Sequence, residues 1–189
     1  MDAIVEAALK KWPNVPHCYG WLALDARGDW YMRDDRIQAA GPFPQVKGSR
    51  ITHEKLRQFI ERNYAVDEAG CWFFQNGPQR VYVQLEAAPH IWRLNADPRG
   101  AAWAPLVFSH NGGAARVESV WLDEADRLFL ACEWQGQLVL GLVHSMDMGL
   151  AAEAVEAGLW SPQTSTWAAL QVRYGFQLQP KAATAVQQA

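Results

Sequence analysis

The stretch GCWFFQNGPQRVYVQLE, residues 70–86, decides the fold class. Val81, Val83 and Leu85 alternate with polar or aromatic neighbours, which is the period of two expected of a strand with two different faces. The aromatic run before them is separated by Asn76-Gly77, a dipeptide typical of tight turns. The stretch therefore predicts a β-hairpin. It also raises a question, because its aromatic side chains belong either to a core or to a binding surface.

The rest of the chain alternates between helix and strand signals. Thr52 and Asp147 are good N-cap residues, each placed before an apolar pattern with helical spacing. Period-two patterns and turn residues mark the other strands, including a closing strand at 170–178. Helices are predicted at 2–12, 52–63 and 147–157, with a loop at 38–50. The chain is thus predicted to be an α+β protein with antiparallel β-sheets in two β-rich halves and about three helices.

Breaker-rich segments suggest how the halves are divided. Residues 95–105 contain Asn, Asp, Pro and Gly in close succession, which is typical of a connection between structural units. We therefore expect an N-terminal α+β half at 1–94 and a C-terminal β-rich half with one helix at 106–180. The Ala/Gln-rich tail at 181–189 is predicted to be disordered.

Three segments share one pattern and predict one recurring turn. Each has an apolar residue, Asp, two variable residues, Gly or Asp, one more residue and then a large apolar pair; they start at Leu24, Val66 and Leu122. Asp accepts hydrogen bonds from turn backbone, and Gly or Asp tolerates positive φ. The unequal spacing opposes a propeller. Aromatic and Met residues at positions that should be polar oppose a calcium loop.

The order of features in residues 20–94 resembles an uncharacterised bacterial family of unknown function. The features are Gly28-Asp29-Trp30, the helix Thr52 to Asn63, the turn Asp67 to Gly70, the aromatic and V-x-V strands, and LEAAP at 85–89. The chain departs from that pattern at Ala88, where the family tends to have an acid, and in an extra loop at 39–50. The resemblance implies a bacterial α+β protein and carries no activity or functional residue with it.

Composition excludes several classes of function. The net charge is -3 and no basic block occurs, so nucleic acid is not an expected partner. Cys18, Cys71 and Cys132 are isolated, which argues against a disulfide framework or zinc site. No apolar run approaches the roughly 18 residues that a membrane span needs, and no signal peptide is visible. We expect a cytoplasmic protein without a cofactor or metal.

Motifs for common chemistries are absent or poorly formed. Lys47 precedes rather than follows Gly48, so VKGSR at 46–50 is not a phosphate loop. His144 and Ser145 are adjacent, and adjacent strand residues point to opposite faces, which makes a catalytic pair unfavourable. Cys18 beside His17 has the same geometric problem. The histidines at 17, 53, 90, 110 and 144 form no helical pair with metal-ligand spacing.

The aromatic residues remain as candidate ligand-binding groups. Ten tryptophans in 189 residues imply a wide core, an aromatic cavity or an interface between subunits. The candidate site residues are Trp30, Trp72, Phe74, Arg80, Arg93 and His110, with Arg116 as a further anchor for an acidic group. The leading hypothesis is a non-enzymatic module that binds a small apolar or acidic ligand, or a homodimer. The alternative is a small enzyme that uses His110 as acid or base.

Overall fold

A computed structural model describes residues 1–97 and 104–182. The chain divides into two compact units, each with its own six-stranded sheet. Unit 1 comprises residues 1–23, 30–85 and 177 onward; unit 2 comprises residues 24–29 and 86–176. The predicted α+β class is confirmed, with mostly antiparallel strands and five helices in the described residues.

Unit 1 contains three helices and a sheet with the strand order β3-β2-β1-β6-β5-β4. The hairpin predicted from residues 70–86 is present: Asn76 pairs with Gln79 and Phe74 with Val81, so Gly77 and Pro78 form the turn. The elements are α1 (Ala3–Lys11), β1 (Cys18–Leu24), β2 (Trp30–Met32), α2 (Asp35–Ala40), β3 (Ser49–Arg50), α3 (Glu54–Arg62), β4 (Tyr64–Val66), β5 (Trp72–Asn76) and β6 (Gln79–Leu85).

An aromatic cluster forms the core of unit 1. The rings of Trp30 and Tyr64 meet edge to face with centroids 5.3 Å apart, and Tyr64 lies 4.7 Å from Trp72. All three side chains are buried. Such pairs add about 0.5–1.5 kcal/mol beyond the area they bury. The alternation of β5 thus places Trp72 in this core, on the same strand face as Phe74.

The pairings in unit 2 close five strands into a ring. The sheet order is β10-β11-β7-β8-β9-β12, and β9 also pairs with β10. The elements are β7 (His90–Asn95), β8 (Leu106–Ser109), β9 (Ala114–Leu122), β10 (Leu128–Trp134), β11 (Gln137–Val143), a 3₁₀ turn (Ser145–Asp147), α4 (Met148–Glu156), β12 (Gln163–Thr164) and α5 (Trp167–Tyr174). The pairs β11–β7 and β12–β9 are parallel.

Gly141 lets the backbone of strand β11 lie close to the indole of Trp92. On β11 it pairs with Leu130 on one side and His90 on the other. The buried Trp92 donates its indole N–H to the Leu130 carbonyl at 2.8 Å. A Cβ atom at position 141 would lie 2.7 Å from the His90 carbonyl oxygen and closer still to the Trp92 ring. Only glycine leaves that space.

The predicted recurring turn is present in all three places. In the turn that starts at Asp25, the Asp Oδ1 accepts from the N–H groups two and four residues later, at 2.9 and 3.0 Å. Asp67 and Asp123 make the same two bonds at 2.9–3.0 Å. The fourth residue of each turn has positive φ: 80° at Gly28, 76° at Gly70 and 56° at Asp126.

The structure contains a fourth turn of the same kind that the sequence pattern does not reveal. Ser109 N–H donates to the Gly113 carbonyl, and Gly112 N–H donates to the Ser109 carbonyl. These bonds match those of Asp25–Asp29 position by position, and Gly112 has φ of 85°. The Asp that defines the pattern is replaced by Ser109, whose hydroxyl lies 2.7 Å from His90 Nδ1 instead.

The closing strand predicted at 170–178 is wrong, because Trp167–Tyr174 is a helix. Thr166 caps it by accepting from the Ala169 N–H, and Gly175 ends it in the left-handed conformation with φ of 61°. Leu170 is buried while Val172 is 84% exposed, so the apolar alternation does not mark one buried face. The caps at both ends outweigh the weak period-two signal.

Smaller corrections concern the helix caps and the loop. The N-cap of α3 is His53, not Thr52; its Nδ1 accepts from the Leu56 N–H at 3.3 Å. Asp147 does precede α4, but its carboxylate makes no capping bond to that helix. The predicted loop at 38–50 includes the end of α2 and the short β3.

The predicted domain bounds stay a prediction. The strands on either side of the expected connection, β7 and β8, pair with each other within unit 2. Residues 98–103 of that connection and residues 183–189 of the expected tail lie outside the described residues.

Candidate functional site

An apolar groove of about 330 Å³ lies within unit 1. Its volume is at the lower end of ordinary small-molecule pockets, which span about 300–1,000 Å³. Strands β1, β2, β5 and β6, helix α3 and Ile51 contribute its walls. The lining residues are Cys18, Trp21, Leu22, Met32, Ile51, Leu56, Phe59, Ile60, Phe74, Asn76, Gln79 and Val81.

The floor and wall of the groove follow from two sequence periodicities. On α3, Leu56, Phe59 and Ile60 are spaced by three and four residues and therefore share one face. On β5, alternation turns Phe74 to that helix, where its ring meets the Phe59 ring edge to face, with centroids 5.4 Å apart. Residue Val81 pairs with Phe74 on the neighbouring strand and extends the floor.

The rim of the groove exposes large apolar side chains. Trp21 is 39% exposed, Met32 47% and Leu56 36%. Contiguous exposed apolar groups that border a cavity mark ligand or partner sites more often than isolated ones do. The groove is therefore the part of unit 1 best suited to take up an apolar group.

No charged residue lies among the described residues that line the groove. Its polar groups are Cys18, Asn76 and Gln79, and all three are uncharged. Burial raises the pKa of the Cys18 thiol, and the Asp35 carboxylate raises it further. The thiol is therefore protonated at neutral pH, and the charge that acts on it is negative.

Phe74 is the predicted site residue that the structure places in this groove. Trp30 and Trp72 belong to the buried cluster around Tyr64. Arg80 lies on the other face of the sheet, where its guanidinium sits 4.5 Å from the centre of the Phe73 ring. The predicted aromatic and cationic groups are therefore not brought together at one site in unit 1.

The remaining predicted cations lie in unit 2 and are paired with acids. Arg93 donates from Nε to Asp147 at 2.6 Å, and Asp147 also accepts from the Leu94 N–H at 3.0 Å. Burial alone would raise the pKa of Asp147, but these bonds hold it below its usual value. Arg116 pairs with Glu118 and Glu133 beside an open cavity of about 720 Å³.

His110 lies in the fourth turn, next to a second histidine. Its Nδ1 accepts from the Ile91 N–H at 3.2 Å, and the His90 ring lies 5.7 Å away. Burial lowers the pKa of His110 to about 3, and it lowers the pKa of His90 strongly as well. Both imidazoles are therefore neutral at physiological pH. Since His90 also stacks on Trp92 at 5.2 Å, this pair forms a polar part of the core of unit 2.

Several kinds of site are not found in the described part of the chain. Residues 1–97 and 104–182 contain no group of three His, Cys, Asp or Glu side chains that could hold a metal ion. None of the helices in these ranges is long and apolar enough to cross a bilayer.

Comparison with known proteins gives a family but no activity. No curated protein matches the sequence. Two solved structures are similar: a DUF1285 family protein from Silicibacter pomeroyi DSS-3 (12% identity, 81% of this chain and 84% of that chain, TM-score 0.49) and a DUF1285 family protein from Shewanella baltica OS155 (15% identity, 70% and 91%, TM-score 0.46). The model of the family DUF2944, described as "Protein of unknown function (DUF2946)", matches residues 1–188, and the chain belongs to that family.

Proposed function

We propose that unit 1 is a non-enzymatic binding module whose groove takes up a small apolar ligand. The observation that carries this proposal is the uncharged groove of about 330 Å³, rimmed by the exposed side chains of Trp21, Met32 and Leu56. Filling it would remove these side chains from water, which is favourable at roughly 25 cal/mol per Å² of apolar surface. The free thiols are compatible with a reducing, cytoplasmic setting.

Two cysteines supply the test. Cys18 lines the groove, whereas Cys71 does not; both are half-buried, and burial next to an aspartate raises the pKa of each. Alkylation with iodoacetamide is followed by mass spectrometry of the two peptides, with octanol as the apolar probe. At about ten times its Kd, octanol should slow Cys18 alkylation about tenfold, because only the unoccupied form reacts. Alkylation of Cys71 should stay within about twofold.

A pair of charge substitutions tests the location of the bound probe. Met32→Asp places a carboxylate at the rim and should abolish the protection of Cys18. Leu138→Asp changes an apolar residue of similar exposure (57%) in unit 2 and should leave the protection intact. Equal changes at Cys18 and Cys71, or protection that survives Met32→Asp, would contradict the proposal.

A second copy of the chain is the other occupant that the sequence analysis suggests. Native mass spectrometry of the same variants separates the two cases. A dimer that dissociates with Met32→Asp but not with Leu138→Asp would assign the groove to a homodimer interface and overturn the small-ligand proposal. A monomer in both variants is the expected result.

A further inference from the structure

The polar lining residues of the groove lie together at one end. Asn76 and Gln79 are partners in the β5–β6 register. Gln79 donates from Nε2 to the Pro16 carbonyl at 3.0 Å, two residues before Cys18. The groove thus has an uncharged polar end around Cys18, Asn76 and Gln79, and an otherwise apolar wall and floor.

We propose that the ligand is an amphiphile whose polar end is uncharged and lies at Asn76, with its apolar body on Phe74 and α3. This inference rests on the proposed function of the groove. Gln79 uses one of its two amide N–H groups on the Pro16 carbonyl, which fixes its orientation. The exposed Asn76 side chain offers both a donor and an acceptor to a hydroxyl or amide.

The charged residues on the strands around the groove do not favour an anionic end. Arg80 lies over Phe73, on the other face of the sheet from Phe74. Arg50 lies opposite Tyr31 in the register of β2 and β3. Strand alternation therefore puts the side chains of both residues on the opposite face from Met32. The charge that acts on the Cys18 thiol is the Asp35 carboxylate. An anionic head at Asn76 would therefore gain no cation from these strands, so any water that it loses on binding is not compensated.

Helix α2 carries the Asp35 carboxylate and packs on strand β1, which begins at Cys18. The Gln38 side chain fills the space above Gly20, so α2 packs on the strand that begins at Cys18. Asp35 is the first residue of this helix. Because Asp35 is exposed and hydrated, it offers little to a cationic head as well. An uncharged head is therefore the best match.

Three probes whose heads differ in charge test the inference. Octanol, octylamine and octanoate have a neutral, a cationic and an anionic head at pH 8. The alkyl chain of octanoate is one methylene shorter, so its dissociation constant is divided by about four before the comparison, since a buried CH₂ contributes about 0.8 kcal/mol. Their dissociation constants come from the protection of Cys18 against alkylation, with Cys71 as the internal control. We expect octanol to bind best and octanoate to bind at least about tenfold more weakly, since a charge must be desolvated without a partner.

A substitution at the polar end should reverse this preference. Asn76→Lys introduces a cation at an exposed position and should strengthen octanoate and weaken octylamine, each about fivefold or more. Gln137→Lys, at an exposed position of unit 2, is the matched control and should change neither.

The possible outcomes separate the two proposals. If none of the three probes protects Cys18, the proposed apolar binding function fails. If all three protect it and their dissociation constants agree within about twofold, the head stays in water. In that case only the inference about the uncharged end is overturned. Octanoate as the strongest binder, or an Asn76→Lys variant without any change in preference, overturns it as well.

Discussion

Ser109 occupies in the turn Ser109–Gly113 the position that Asp123 occupies in the turn Asp123–Arg127. Both turns make the same two backbone bonds, but the side chains differ in use. Asp123 binds the N–H groups of its own turn, whereas the Ser109 hydroxyl bonds to the buried His90 at 2.7 Å. The same backbone turn is thus stabilised by its own first side chain at Asp123, whereas at Ser109 the first side chain bonds to a histidine in the core.

This difference predicts separable effects of two alanine substitutions. Ser109→Ala removes a buried partner of His90 and should lower the free energy of unfolding by about 1–3 kcal/mol. The turn itself should persist, so hydrogen exchange at the Gly112 N–H should be unchanged in the folded protein. Asp123→Ala should instead accelerate exchange at the Asp126 N–H. Urea unfolding and exchange measured by NMR check both, and equal exchange behaviour would contradict the distinction.

Stability should fall as the pH drops below about 6.5. His110 has a pKa of about 3 in the folded protein, and the pKa of His90 is also lowered by burial, so the unfolded chain binds more protons below pH 6.5. Each histidine can cost at most about 1.4 kcal/mol per pH unit in that range. His110→Gln should make the dependence of the urea midpoint on pH shallower, whereas His17→Gln, at an exposed position, should not.

The Arg93–Asp147 pair should contribute more than an exposed pair. Arg93→Ala removes two hydrogen bonds from a mostly buried carboxylate, which keeps its bond from the Leu94 N–H. We expect a loss of about 1–3 kcal/mol, discounted because Arg93 is half exposed. Arg36→Ala breaks the exposed pair with Asp34 and should cost no more than about 0.5 kcal/mol. Similar losses in thermal unfolding would show that burial of Asp147 does not matter.

Two Gly→Ala substitutions should change the free energy of unfolding in opposite directions. Gly175 ends α5 with φ of 61°, where a side chain is strained, so Gly175→Ala should lower stability by about 1 kcal/mol. Gly149 lies within α4 and has open space where a Cβ atom would lie, so Gly149→Ala should raise it by up to about 1 kcal/mol. Thermal unfolding of the two variants measures both changes. A stabilising Gly175→Ala would argue against a helix that ends there.

The fold was predictable where local chemistry and periodicity agree. The V-x-V-x-L alternation from Val81 and the turn residues before it determine the β5–β6 hairpin. The Asp-initiated turns were predictable because their hydrogen bonds are local. The helix α5 was not predicted, because apolar residues at every second position from Leu170 suggested a strand, while Thr166 and Gly175 already carried the helix signals.

The candidate groove could be predicted only in part. Phe74 was identified from its aromatic strand, but the wall of the groove comes from Phe59 and Ile60, which belong to the apolar helical pattern after Thr52 and were not candidate site residues. That these positions leave a cavity depends on the packing of α3 against β5, which no periodicity determines. The arginines proposed as anchors failed to converge because strand alternation and ion pairing direct them elsewhere.

Gly141 and Trp92 carry a consequence for relatives of this chain. The indole passes so close to the Gly141 backbone on its way to the Leu130 carbonyl that any side chain at position 141 would displace it. In an alignment of the family, the two positions should therefore covary: glycine should accompany tryptophan, and a larger residue at 141 should appear only with a smaller one at 92. Such paired replacement would identify relatives in which the five-stranded ring is kept and a different side chain fills the space of the Trp92 indole.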